Sequence, residues 1–116
     1  MDQLEDTSIV EGAIFLTPFA PNDPAENVQN FVKAYQEKYN ATPDQFAADA
    51  YDGVYVIKAA IEKAGSTEPQ AIIDAMTEIS VSGLTGDMTF DVTGEPNKAA
   101  KVVEIVNGAY EVRLAE

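Results

Sequence analysis

A chain of 116 residues, 46% apolar and 23% charged, is long enough for one compact domain and too hydrophobic to be disordered. Twenty acidic residues against seven basic ones give a net charge of −13, which repels phosphate backbones, excludes nucleic acid as an expected partner and serves solubility. With no cysteine and no histidine, the chain lacks thiolate nucleophiles, disulfides, sulfur metal sites, the commonest general base and the commonest zinc ligand, and nothing calls for a cofactor.

No run approaches the roughly 20 apolar residues that a membrane helix requires. The start Met1-Asp2-Gln3 is acidic where a signal peptide is basic, and it reads as an opening inside a longer natural protein. The first patterned segment is Gly12-Ala13-Ile14-Phe15-Leu16-Thr17, too short for a helix and apolar on both alternating faces, which predicts a buried, central, parallel strand. Pro18 and Pro21 then end sheet pairing, so Phe19 to Asn22 is expected to be a loop and a candidate hinge or site edge.

Asp23, Pro24 and Glu26 match an N-cap, a first-turn proline and the acid of a capping box. The helix that follows carries Val28, Phe31, Val32 and Tyr35 as its stripe and should stop between Tyr39 and Thr42, ahead of Pro43. From Phe46 to Ala64, the positions Ala47, Ala50, Val54, Ile57, Ile61 and Ala64 recur at helical spacing. Tyr51, Tyr55, Val56, Ala59 and Ala60 fill other sides, predicting a helix buried around most of its girth, Ile57 included, and ended by Gly65. Thr67 and Gln70 suggest a second capping box before Ile72, Ile73, Met76 and Ile79, a short third helix.

Segments 86–92, 101–106 and 109–114 are rich in β-branched and aromatic residues and predict strands. Asn107-Gly108 between the last two is a type I′ hairpin signal, because both turn positions need positive φ. The order strand, three helices, three strands predicts a layered α/β fold with a mixed sheet.

Candidate chemistry is sparse. Asp49 and Asp52, three apart early in the second helix, can form a carboxylate pair for acid–base work or simply complement the helix dipole. Asp87, Asp91 and Glu95 can be drawn as ligands for a hard cation, but their spacing is not that of an EF-hand, and Asp91, Gly94 and Pro96 read as turn chemistry; no metal site is expected. Phe46, just after the Pro43-Asp44 turn, is either a core residue under the helix or a side chain projecting into a cleft.

The strand at 11–19, the helix with Phe31, Ala34 and Tyr35, the segment Phe46-Ala47-Ala48-Asp49-Ala50-Tyr51-Asp52, and Gly83-Leu84-Thr85-Gly86 followed by Phe90-Asp91 together resemble the C-terminal third of the leucine/isoleucine/valine-binding family. These are type I periplasmic solute-binding proteins of ABC transporters. The resemblance implies part of a type I lobe, a single α/β unit over 1–116 with hinge-crossing strands near 11–19 and 86–106. It implies a binding receptor and not an enzyme, periplasmic or extracellular, lipid-anchored or free. Its partners would be an amino-acid-like small molecule, bound by the full-length parent, and an ABC permease. It also implies ligand contact by Phe46 and, near the hinge, by Thr17 and Phe19. Segments that grip the ligand's charged groups in such proteins have no counterpart here. An alternative is a self-standing α/β interaction module that dimerises through sheet edges, and a homodimer is expected of the isolated chain because the 11–19 strand has few partners to cover its edge.

Overall fold

The computed structural model describes residues 5–113. Its contacts gather into two compact units, where length alone suggests one core: the chain up to Gln45 together with the chain from Ala100 onward, and Phe46–Ala99.

The first unit contains a 3₁₀ turn at Thr7–Val10, strand β1 (Ile14–Thr17) and helix α1 (Glu26–Tyr39). The hairpin of β5 (Lys101–Val106) and β6 (Ala109–Arg113) returns to complete a sheet of order β1-β5-β6. Both pairings are antiparallel, with Phe15 opposite Val103 and Val103 opposite Val112. The expectation of a parallel, central β1 is therefore corrected: β5 is central, and β1 lies at an edge of the sheet. The physical reason lies in cover. Val103 and Ile105 of β5 are buried, whereas Ile14 and Leu16 of β1 are 60% and 69% exposed. An apolar run reads as interior whether or not its own chain supplies the layers that would bury it. The hairpin turn is as expected, with Asn107 at φ 51° and Gly108 at φ 72°. Leu114, assigned to the last strand from sequence, lies outside the described residues.

Helix α1 buries Val28 and Val32, and Asn40 ends it in a left-handed conformation, its N–H donating to the Gln36 carbonyl at 2.8 Å. Its start differs from the capping box. Ala25 occupies the N-cap, and Asp23 accepts the Ala25 N–H at 2.9 Å in a turn ahead of the helix. The remaining carboxylate oxygen of Asp23 pairs with Lys101, so the approach to α1 is tied to the first residue of β5.

The second unit holds α2 (Gln45–Ala64, with Gln45 at the boundary), α3 (Pro69–Met76), β2 (Val81–Gly83), β3 (Gly86–Phe90) and the two-residue β4 (Pro96–Asn97). The sheet order is β2-β3-β4, again antiparallel. Gly65 closes α2 at φ +61°, as its position predicts. For α3, Pro69 takes the first helical position, and Ser66 Oγ accepts the Glu68 N–H, in place of the expected Thr67–Gln70 box. Gln70 donates along the helix to Asp74 at 2.8 Å. The fold is thus α/β, but its sheets are antiparallel and not mixed.

The buried stripe of α2 is Ala48, Asp52, Val56 and Ala60, one residue every four. Val54 and Ile57 are 66% and 54% exposed, so the expectation of a helix buried on most sides, with Ile57 interior, is corrected. The apolar period marked a second face that this chain leaves open. On the covered face, Asp52 is 2% exposed and sits against the Gly83–Gly86 turn. Its Oδ1 accepts the Leu84 N–H at 2.8 Å; its Oδ2 accepts the Thr85 N–H at 2.9 Å and the Thr85 hydroxyl at 2.7 Å. Leu84 and Thr85 are the two loop residues of the β2–β3 hairpin, whose N–H groups need an acceptor once buried. The carboxylate lies so close that a Cβ on Gly83 would come within 2.5 Å of Oδ2.

Two predictions concern stability. Asp52→Asn replaces one acceptor oxygen by an NH₂ that faces a donor, and should cost about 1–3 kcal/mol in urea unfolding. Gly83→Ala should cost about 1–3 kcal/mol by displacing the carboxylate from three hydrogen bonds. A loss below about 0.5 kcal/mol for both would separate the turn from the stability of this unit. In the first unit, burial pushes Asp23 up, but the Lys101 hydrogen bond, the Ala25 N–H and the Lys101 charge outweigh it and hold the carboxyl below its ordinary value. A depressed carboxyl stabilises above the unfolded-state value and loses that contribution as the pH falls through the folded one. Asp23→Asn should therefore lower stability at neutral pH and flatten its decline in acid, read from unfolding curves between about pH 7 and pH 2.

Candidate functional site

The sequence-predicted site residues fall into two groups, one in each unit. In the first unit, Pro18 ends β1 and turns the chain into the 18–23 loop. Thr17 is 6% exposed, and its hydroxyl accepts the Phe19 N–H at 3.3 Å. Its own proton is directed to the Phe19 carbonyl at 2.9 Å or to Gln45 Oε1 at 3.0 Å. Phe19 is 3% exposed and meets Phe31 edge to face at 6.0 Å between ring centroids. The row continues through Phe31–Tyr35 and Tyr35–Tyr39, so this loop is anchored on an aromatic ladder along α1. Gln29 donates its side-chain amide to the Pro21 and Asp23 carbonyls at 3.0 and 2.6 Å, and Asn22 donates to the Tyr110 carbonyl. The loop expected to be a hinge or a site edge thus has its Pro21 and Asp23 carbonyls satisfied by a side chain of the same unit.

In the second unit, Phe46 stands at the start of α2 and is 75% exposed, so the packed-core alternative for this ring is not realised in the described residues. One turn on, Asp49 pairs with Lys98 at 3.0 Å. Asp52, three residues further, is consumed by the β2–β3 turn. The two acids that spacing places together thus serve separate partners and offer no shared proton. Tyr51 and Tyr55 lie side by side, hydroxyl oxygens 3.2 Å apart. The hydrogen bond to Tyr55, partial burial and the neighbouring Asp52 charge raise the Tyr51 phenol above its ordinary value, which keeps it protonated and unsuited to nucleophilic work.

Asp87 and Asp91 are likewise engaged locally. Asp87 accepts from Ser82 Oγ across the hairpin. Asp91 Oδ1 accepts the Thr93 N–H at 2.7 Å, the Thr93 hydroxyl at 2.6 Å and the Glu95 N–H at 3.2 Å, and these bonds, led by Thr93, lower its carboxyl. Gly94, at φ +86°, completes the turn anticipated from Asp91-Gly94-Pro96. Among the described residues no group of three His, Cys, Asp or Glu residues is placed to hold a metal ion. Sequence reasoning missed the role of Asp52, although its partner motif, Gly83-Leu84-Thr85-Gly86, is legible: two glycines bracketing a two-residue loop require an acceptor for that loop. Among the described residues the arrangement provides apolar and hydrogen-bonding surface and no activated nucleophile.

A family profile described as periplasmic binding protein matches residues 2–109. Among solved structures, a leucine-binding protein of Thermotoga maritima is 30% identical, with a TM-score of 0.74, over 90% of this chain and 31% of that one. A candidate branched-chain amino acid ABC transporter protein of Rhodospirillum rubrum is 33% identical, with a TM-score of 0.76, over 90% and 31%. A substrate-binding protein of Desulfitobacterium hafniense, solved in complex with Leu, is 26% identical, with a TM-score of 0.79, over 91% and 32%. The chain therefore spans 31–32% of the length of these relatives. With the profile covering all but a few terminal residues, the chain belongs to the periplasmic binding protein family, whose members bind solutes and are not enzymes.

Proposed function

We propose that this chain is part of a periplasmic or extracellular solute-binding receptor, free or lipid-anchored, that delivers an amino acid or a similar small polar molecule to an ABC permease. The observation that carries the reading is the 30–33% identity, over nine-tenths of the chain, to proteins described as leucine-binding or branched-chain amino acid transport components. In the full-length parent, segments 11–19 and 86–106 would run between two lobes and bend as the lobes close on the ligand. Phe46 would contact the apolar part of the ligand. Its exposure supports this, since a ring left open to water at a helix start gains by being covered. Thr17 and Phe19 belong to the same proposal as residues near the hinge, acting through the backbone they hold. Among the described residues no helix is long and apolar enough to cross a membrane.

A zwitterion must have both charges paired when it leaves water, and the segments expected to do so have no counterpart in this chain. Binding is therefore a property of the parent. In the parent, Phe46→Ala should weaken leucine binding, measured by calorimetry, by about 1–3 kcal/mol through lost apolar burial. Affinity for leucine unchanged within error would remove Phe46 from the site, and no affinity for any amino acid in the unaltered parent would remove the function itself.

A second reading, an interaction module that pairs through sheet edges, draws on one observation: β1 is an edge strand whose Ile14 and Leu16 are open to water. Sedimentation equilibrium of the isolated chain should then give a dimer mass at moderate salt, where charges are screened beyond about 8 Å. A monomer mass at every concentration and salt level would dismiss pairing.

A further inference from the structure

We propose that Asn107 is a site of non-enzymatic deamidation, with solvent hydroxide and water as the co-reactants, and that the carboxylate of Glu11 holds its rate down by clasping the two backbone N–H groups of the Asn107-Gly108 turn. An asparagine followed by glycine is chemically exposed, because no side chain on the following residue hinders approach of its backbone nitrogen. Hydroxide removes the Gly108 N–H proton, and the nitrogen attacks the Asn107 side-chain carbonyl carbon. The new N–C bond closes a five-membered imide as the C–NH₂ bond breaks, and the leaving nitrogen takes a proton from water to depart as ammonia. Water then opens the imide at either carbonyl, giving aspartate or isoaspartate at position 107. The net reaction consumes one water and releases one ammonia, with no oxidant or reductant.

Two observations place this chemistry under the control of Glu11. Asn107 is exposed at the tip of the β5–β6 hairpin, where solvent hydroxide reaches it. Ninety-six residues earlier in the chain, Glu11 accepts the Asn107 N–H at 2.7 Å through one oxygen and the Gly108 N–H at 3.2 Å through the other. The hydrogen that must be lost is thus the one held against a carboxylate. Removing it places a second negative charge beside the first, which two like charges at such separation resist even in water. Thr7 also stands close to the turn, its Oγ1 lying 2.8 Å from where a Cβ on Gly108 would stand.

The test uses the full chain incubated in mildly alkaline buffer, with amide-to-acid conversion followed by peptide mass mapping and isoaspartate resolved chromatographically. Conversion at Asn107 should precede that at Asn22, Asn27, Asn30, Asn40 and Asn97. Glu11→Gln, which retains size and one carbonyl acceptor but no charge, should convert about fivefold faster, the factor expected for about 1 kcal/mol of charge repulsion in water. Amide exchange at Val103 and Ile105, which reports the pairing of β5 with the segment that follows Glu11, should be unchanged in that variant. Equal rates in the wild type and Glu11→Gln would overturn the gate, as would faster conversion accompanied by lost protection at Val103 and Ile105. Conversion at Asn107 no faster than at the other asparagines in Glu11→Gln would overturn the site.

Discussion

A two-residue hairpin loop must direct backbone N–H groups somewhere, and when the loop is buried they require an acceptor within the protein. In residues 46–99 that acceptor is one carboxylate. Asp52 lies on the same helical stripe as Ala48, Val56 and Ala60, so the face of α2 that is buried is also the face that receives the Leu84 and Thr85 donors. The bonds fix both the rotation of the helix about its axis and its position along the turn, since a shift by one residue would present Tyr51 or Gly53 to the loop. The residue before the loop must be glycine because the carboxylate already fills the space of a side chain. An acid committed in this way spends both of its oxygens on the turn.

The same economy accounts for part of the acidic composition. Asp6 accepts the Ser8 N–H, Asp23 the Ala25 N–H and Asp91 the Thr93 N–H, each two residues ahead. A short acid that bends back on the chain satisfies a donor that no helix or ladder would satisfy, and it does so wherever an element begins or a strand turns. Read from composition, these residues contribute only charge and solubility. In the structure they shape turns, and the ones bonded most fully, Asp23 and Asp91, are held in the carboxylate form more firmly than free side chains.

Element identities were legible where local chemistry decides them. The limits of α2, the left-handed Gly65, the Asn107-Gly108 turn and the Asp91 turn all follow from residues within a few positions of one another. The start of α1 was displaced because Asp23 closes a turn on the Ala25 N–H ahead of the helix, and its pairing with Lys101, 78 residues away, leaves no local signal. The orientation and cover of β1 were misread because an apolar run carries no mark of which chain segment buries it, and Ile57 was misread for the same reason. The three-residue β2 and the two-residue β4 were missed, being too short for any period to register. At the candidate site, Phe46 was visible from its place after a proline turn, while the turn-holding role of Asp52 needed a contact between residues 32 and 33 positions apart.

The sheet of the first unit joins the two extremes of the described chain. Ile14 pairs with Glu104 and Thr17 with Lys101, and Glu11 reaches Asn107. During synthesis β1 therefore emerges long before β5, its sheet partner among the described residues, and that pairing must wait while the whole of 46–99 is made. That intervening stretch has no such delay, because its helices and hairpin pair with near neighbours in sequence. Contacts of short range form early and those of long range late. The order of these pairings is thus written into the connectivity: those within 46–99 can form first, and β1 meets β5 only once the β5–β6 hairpin has left the ribosome.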